Sequence, residues 1–156
     1  MTKEKKATVS PLQAHIGFWM RLVSNSVSQA FAKKLESTGV TVAEWVVMRE
    51  MYGEAGLTSP SQVAELTSLS RGAVSKLLER LLQKGYIGRS ESTTDRRYQD
   101  IRLTAEARDL VPQLAAIADE NDETFFEPLT ESERKQLTKI LKKLARAHGL
   151  TNAPIE

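Results

Sequence analysis

Apolar residues recur with a helical period along most of this chain, and with a strand period in one place. From Leu12 to Glu36, one stripe runs through Ile16, Met20, Val23, Val27 and Phe31, and a second through Trp19 and Leu22. So wide an apolar face predicts a helix with more than one neighbour to pack against. Gly39 ends it, and Thr41 is placed to cap a second helix from Val42 to Tyr52, which Gly53 and Gly56 close. Ser59 is an N-cap for a short third helix, with Pro60 at its first position and Val63, Ala64 and Leu66 turned inward. Ser70 caps a fourth, in which Val74, Leu77, Leu78 and Leu81 fall at i, i+3, i+4 and i+7 until Gly85 stops it.

The period then changes. Gln99, Ile101 and Leu103 share one face and Tyr98, Asp100 and Arg102 the other, which predicts a strand, with Tyr86 to Arg89 as its partner. Ser90 to Arg96 has turn-forming composition without glycine, so the hairpin is expected to have a loose tip. Thr104 caps a long helix running to about Phe126, with Pro112 placed to bend it near its start. Thr130 and Glu133 fit a capping box that opens a last helix with Leu137, Ile140, Leu141 and Leu144 inward. The fold class expected is mainly α with a small β-hairpin wing, on a single domain large enough to bury a core. Both termini are expected to fray.

Charge adds polarity to this picture. The chain of 156 residues carries a formal charge of only +2, which by itself names no partner. Its distribution says more. From Ser70 to Leu103 eight basic residues face four acids, whereas from Thr104 to Glu133 Arg108 is the one base against nine acids. A basic middle beside an acidic flank can orient a molecule on a phosphate backbone. The chain has no cysteine, which excludes disulfides, thiol redox sensing and Cys-ligated metal. No apolar run approaches a membrane span and no signal-peptide core follows the N-terminus, so a cytoplasmic protein with no membrane partner is expected.

The third and fourth helices, joined by a tight turn at Ser68, have the pattern of a helix-turn-helix. Ala64 is small enough to let them cross closely, and Val63, Leu69, Val74 and Leu77 supply the apolar contact between them. The outward face of the fourth helix carries Ser70, Arg71, Gly72, Ser75, Lys76 and Arg80, all small or basic. Small residues at a helix N-terminus let the backbone approach a DNA groove, where the helix dipole favours phosphate. A hairpin follows at once. The turn has Ser68 where such motifs commonly have glycine.

From Gly39 to Leu110 the chain resembles a MarR-type winged helix-turn-helix regulator, and the flanking helices match that architecture. The most specific similarity is Asp95-Arg96-Arg97 followed by Ile101-Arg102-Leu103-Thr104, which looks like the family's wing signature; Ser70 to Gly85 resembles its recognition helix. Ala107 departs from the glycine many members have early in the helix after the wing. The resemblance implies residues 10–38 and 105–148 as dimerisation helices around a DNA-binding lobe at 39–104. It also implies a homodimer on a pseudo-palindromic operator in double-stranded DNA, acting as a repressor. The first and last helices agree, having more apolar surface than one small domain needs. A two-fold dimer sets two recognition helices about one DNA turn (~34 Å) apart.

Arg71 and Lys76 are the candidates for base-edge contacts in the major groove. Ser61, Gln62, Ser70, Ser75 and Arg80 are candidates for holding phosphates, and Gly72 for close backbone approach. On the wing, the family motif implies that Arg97 reaches the minor groove with Asp95 orienting it, while Arg96 and Arg89 suit backbone contacts. Arg102 and Lys84 read most readily as solvated surface charges.

Many members of the family release DNA on binding a small aromatic or anionic effector, and His15, Trp19, Trp45, Met48, Arg49 and Met51 lie on helices that could line such a pocket. Trp45 and Met48 are equally at core spacing, and Trp19 suits a dimer interface. No enzyme is expected: there is no HExxH, P-loop, dinucleotide-binding glycine motif or G-x-S-x-G, and the two histidines stand far apart. No cofactor or metal is expected. The alternative reading is a winged-helix protein-interaction module that does not read DNA sequence.

Overall fold

The computed structural model describes residues 8–53, 59–91 and 99–155, excepting the side chains of Glu91 and Gln99. The elements follow the chain as α1 (Ile16–Leu35), α2 (Val42–Met51), α3 (Pro60–Thr67), α4 (Arg71–Gln83), β1 (Ile87–Glu91), β2 (Gln99–Leu103), α5 (Ala105–Phe125) and α6 (Glu131–Ala147). β1 and β2 pair antiparallel from Ile87 opposite Leu103 to Glu91 opposite Gln99. The expected tip of the hairpin, Ser90 to Arg96, lies mostly outside the described residues.

Caps set most of these boundaries. The Thr41 hydroxyl accepts from the Glu44 amide and the Glu44 carboxylate accepts from the Thr41 amide, at 3.2 and 3.1 Å. Ser59 and Gln62 make the same reciprocal pair at α3, and Thr130 and Glu133 at α6. Each box satisfies two amides that a helix start would leave unpaired. At the end of α4 the Gly85 amide reaches the Leu82 carbonyl and the Tyr86 amide the Leu81 carbonyl. That paired closure needs a left-handed residue, and Gly85 supplies it at φ 74°. The Thr104 hydroxyl then donates to the Gly85 carbonyl at 2.7 Å while capping α5, so one corner fixes α4, the hairpin and α5 together.

Two expected boundaries move: the partner strand, expected at Tyr86 to Arg89, runs Ile87–Glu91 and takes Ser90 and Glu91 from the expected turn, and the first helix starts late. The first helix was expected from Leu12, but Leu12–Ala14 form a single 3-10 turn, His15 is extended, and α1 starts at Ile16. Pro11 disfavours a helical start before it, and the Trp19 indole donates to the Gln13 carbonyl at 2.9 Å, pinning the turn apart from the helix. α5 runs through Pro112 without a break. Pro112 is exposed, so the carbonyl it leaves unpaired can face water.

The core is concentrated between Leu35 and Leu114. Val47, Met48 and Met51 of α2, Val63 of α3, Val74, Leu77, Leu78 and Leu81 of α4, Ile87, Ile101 and Leu103 of the wing, and Ala107, Val111 and Leu114 of α5 are all buried. α1 lies along α5, where the Asn121 amide donates to the Val27 carbonyl and Lys34 pairs with Glu120. α6 buries no residue. Its attachment is polar: the Arg134 guanidinium closes the end of α5 by donating to the carbonyls of Phe126 and Glu123. Beyond α6, the Ala153 amide donates to the Leu66 carbonyl at 2.9 Å and brings the tail back to α3.

Candidate nucleic-acid interface

α3 and α4 meet through a turn whose residue Ser68 sits at φ 55°, ψ 19°. It is the one non-glycine residue with positive φ among the described residues. Serine therefore takes the left-handed conformation that glycine adopts more cheaply, at about 1–2 kcal/mol of backbone strain. The turn survives because the buried contacts of Val63, Val74 and Leu77 hold the helices on either side. The missing glycine changes the strain of the motif and leaves its shape intact.

With Val74, Leu77, Leu78 and Leu81 facing the core, the opposite side of α4 is fixed by geometry. Ser70, Arg71, Gly72, Ser75, Lys76 and Arg80 are all exposed on it, as the sequence pattern expects. The Ser70 hydroxyl accepts from the Ala73 amide, which leaves the first amides of α4 directed outward. A Cβ built on Gly72 would meet nothing within 4 Å. The chain's own packing therefore does not demand glycine there, although glycine within a helix is destabilising by roughly 0.5–1 kcal/mol relative to alanine. Bare backbone at that point suits close approach by a partner.

Beside this face, Pro60, Ser75, Lys76, Leu78, Glu79, Arg80, Gln83 and Arg89 line a cleft of about 670 Å³. Three of its walls are cationic. Arg89 lies 3.8 Å from Glu79, and Arg80 lies 3.5 Å from Glu44. Among the described residues neither Arg71 nor Lys76 has an ion-pair partner. Ser61 is exposed on α3. Gln62, a candidate phosphate contact, is exposed too, but its side-chain oxygen is committed to the Ser59 cap. Ser59-x-x-Gln62 is itself a capping-box spacing, so that commitment is legible in the sequence. Asp95, Arg96 and Arg97, with the wing signature they form, lie outside the described residues.

Two residues behave differently from expectation. Lys84, read as a solvated charge, donates to both Glu44 carboxylate oxygens at 2.8 and 3.0 Å and to the Gly39 carbonyl at 2.7 Å. Glu44 drew no attention in the sequence, yet its side chain is 0% exposed, at the joint between α2 and α4. A glutamate three residues after a threonine signals a cap; nothing in the local sequence signals that Arg80 and Lys84, from the far end of α4, will meet it.

The residues grouped as a candidate effector pocket do not converge. His15 and Trp19 are exposed at the start of α1, where Trp19 packs edge-on against Phe18. Trp45 is half-buried against Phe31, with ring centroids 6.4 Å apart. Met48 has no exposed surface and Met51 almost none; both fill the core, so neither presents a face to a ligand within this chain. Arg49 is exposed on α2.

The MarR family model matches residues 38–97. That span is 60 of the 156 residues of this chain. The HTH-type transcriptional repressor MdtR of Bacillus subtilis is 29% identical over 136 residues, spanning 87% of this chain and 87% of that protein. The structure of the Staphylococcus aureus MepR–DNA complex superimposes with a TM-score of 0.74 at 27% identity, covering 85% of this chain and 98% of that one. The structure of Bordetella bronchiseptica BpsR, whose DNA binding is regulated by 6-hydroxynicotinic acid, shares the fold at a TM-score of 0.77 and 22% identity, over 88% and 98% of the two chains. The MarR architecture accounts for the polarity of the molecule: one buried lobe with an outward helix, and two helical arms.

Proposed function

We infer that this chain is a MarR-family, sequence-specific, double-stranded-DNA-binding transcriptional regulator, acting as a repressor. The observation that carries this reading is α4. Its apolar side is locked into the core, and its exposed side carries only small, basic and short polar groups over the first two turns, with a glycine at the point of closest approach. Laid in a major groove, Arg71 and Lys76 would meet base edges, and Arg71 would pair best with guanine. Ser61, Ser70, Ser75 and Arg80 would hold phosphates, and Arg89 would join that row; Arg96 and Arg97 are proposed as further DNA contacts.

The working unit is a homodimer. Residues 10–38 and 105–148 supply its helical arms, and residues 39–104 the DNA-binding lobe. Ile16, Trp19, Met20 and Val23 of α1 and Ile140, Leu141 and Leu144 of α6 are exposed within the single chain. Apolar stripes of that extent mark an association surface. The effector proposed to release the operator is a small aromatic or anionic molecule at the seam of α1 and α2, where Trp45 reports on its surroundings. Titration of a phenolic panel against tryptophan fluorescence tests it: a saturable change supports the site, and a flat response across the panel removes it.

Selection of duplexes from a random DNA library by the purified protein at near-physiological salt, followed by sequencing, tests the main reading. Enrichment of an inverted repeat with half-sites about ten base pairs apart is expected. Recovery of no motif, with binding that vanishes as salt rises, would leave nonspecific charge attraction alone.

A further inference from the structure

We propose that Glu44 is a positioning residue for DNA binding, holding the Arg80 guanidinium by one edge so that its other edge meets a phosphate in the cleft beside α4. The inference rests on the DNA-binding reading above and adds to it a residue that touches no DNA.

The geometry is that of one anion shared unequally. The Glu44 carboxylate is fully buried, accepts from the Thr41 amide at 3.1 Å, and takes both of its short charged contacts from Lys84. Lys84 also holds the Gly39 carbonyl, so its ammonium is spent within the fold. Arg80 is the second cation on the same carboxylate, with Nε 3.5 Å from Oε1, and its side chain remains 53% exposed. One negative charge with two positive ones leaves the cluster with a net positive charge. That excess resides on Arg80, the partner with the more exposed side chain and, among the described residues, no other acceptor within the fold.

A guanidinium has five donors in a rigid fork. Nε stands at ion-pair distance from Glu44, and among the described residues the Nη groups have no acceptor and Arg80 no second ion-pair partner. Its outer side opens on the cleft with Lys76 and Arg89. A phosphodiester is the acceptor that suits such a place: anionic, able to bridge two Nη donors, and supplied in a row by a DNA strand. Holding the fork in advance removes part of the ordering entropy that a free arginine loses on binding. Because Glu44 sits on α2, the contact also ties the phosphate clamp to the helix that packs against the arms.

A double-mutant cycle on the duplex recovered by selection decides it. Glu44→Gln keeps the side chain's shape and its bond to the Thr41 amide, and should lower affinity about five- to tenfold in the native background. In an Arg80→Ala background it should change affinity less than twofold. Arg80→Lys should lose nearly as much as Arg80→Ala, since lysine keeps the charge but not the fork. If Glu44→Gln does not fold, Glu44→Asp, which keeps the charge and shortens the reach, should show the same dependence on Arg80. Equal losses in both backgrounds would overturn the proposal and leave Glu44 a structural residue. A gain in affinity would overturn it too, showing that the carboxylate only repels the backbone. Absence of binding by the native protein would remove the DNA-binding reading itself, and this inference with it.

Discussion

α4 and α6 bear the same apolar pattern, i, i+3, i+4, i+7, as Val74, Leu77, Leu78, Leu81 and as Leu137, Ile140, Leu141, Leu144. In the single chain their fates are opposite. All four residues of α4 are buried, while Ile140, Leu141 and Leu144 are exposed and Leu137 is only partly covered. An amphipathic stripe thus declares that a helix will be covered without saying by what. α4 is closed by α2, α3 and the wing; among the described residues α6 is tied to the end of α5 through Arg134, and its apolar stripe stays open within the single chain, as the proposed dimer requires. The two patterns serve different equilibria, folding in one case and assembly in the other.

Substituting both Leu141 and Leu144 by glutamate should break that comparison most sharply. The protein should sediment as a folded monomer, and operator affinity should fall by a factor on the order of 10²–10⁴ as the second half-site is lost. A dimer of unchanged mass would show that α6 is covered in some other way. The matching change in α4, Leu77→Ala, should instead lower folding stability by about 3 kcal/mol in a urea titration, because it opens a cavity in a closed core. A loss below about 1 kcal/mol, far under that expectation, would mean that the α4 core is looser than its burial indicates.

Smaller changes sharpen the contrast on the outer face of α4. Arg71→Ala should weaken operator binding by about 1–3 kcal/mol and relax preference at one base position, with stability unchanged. Uniform weakening across all sequences would reassign Arg71 to phosphate. Ser68→Gly should raise stability by about 1 kcal/mol, by relieving the left-handed strain, and leave affinity as it was. A fall in stability would show that the serine is not strained.

The smallest effect concerns the start of α6. Two hydrogen bonds from Thr130, the backbone one foremost, hold the Glu133 carboxyl below its ordinary value of 4.5. The folded carboxylate releases its proton more readily than the unfolded one. Its contribution is therefore complete above 4.5 and is lost as pH falls through the lower folded value. The helical signal of the first turn of α6 should decline over that acid range, and Glu133→Gln, which can still cap, should flatten that part of the titration.

Local chemistry determined much of this protein from sequence alone. Helix starts at Thr41, Ser59, Ser70, Thr104 and Thr130, the stop at Gly85, and the change of period at the wing were all readable, because caps and periodicity act within a few residues. The outward face of α4 was readable for the same reason: once four positions face a core, the rest must face away. The sequence did not show that Ser68 would carry the strain of the turn, or that Lys84 would be tied to a buried Glu44. Each of those depends on which distant segments meet. Burial of a charge is set by what stands beside it in space, and the cations around Glu44 come from the end of α4, distant along the chain.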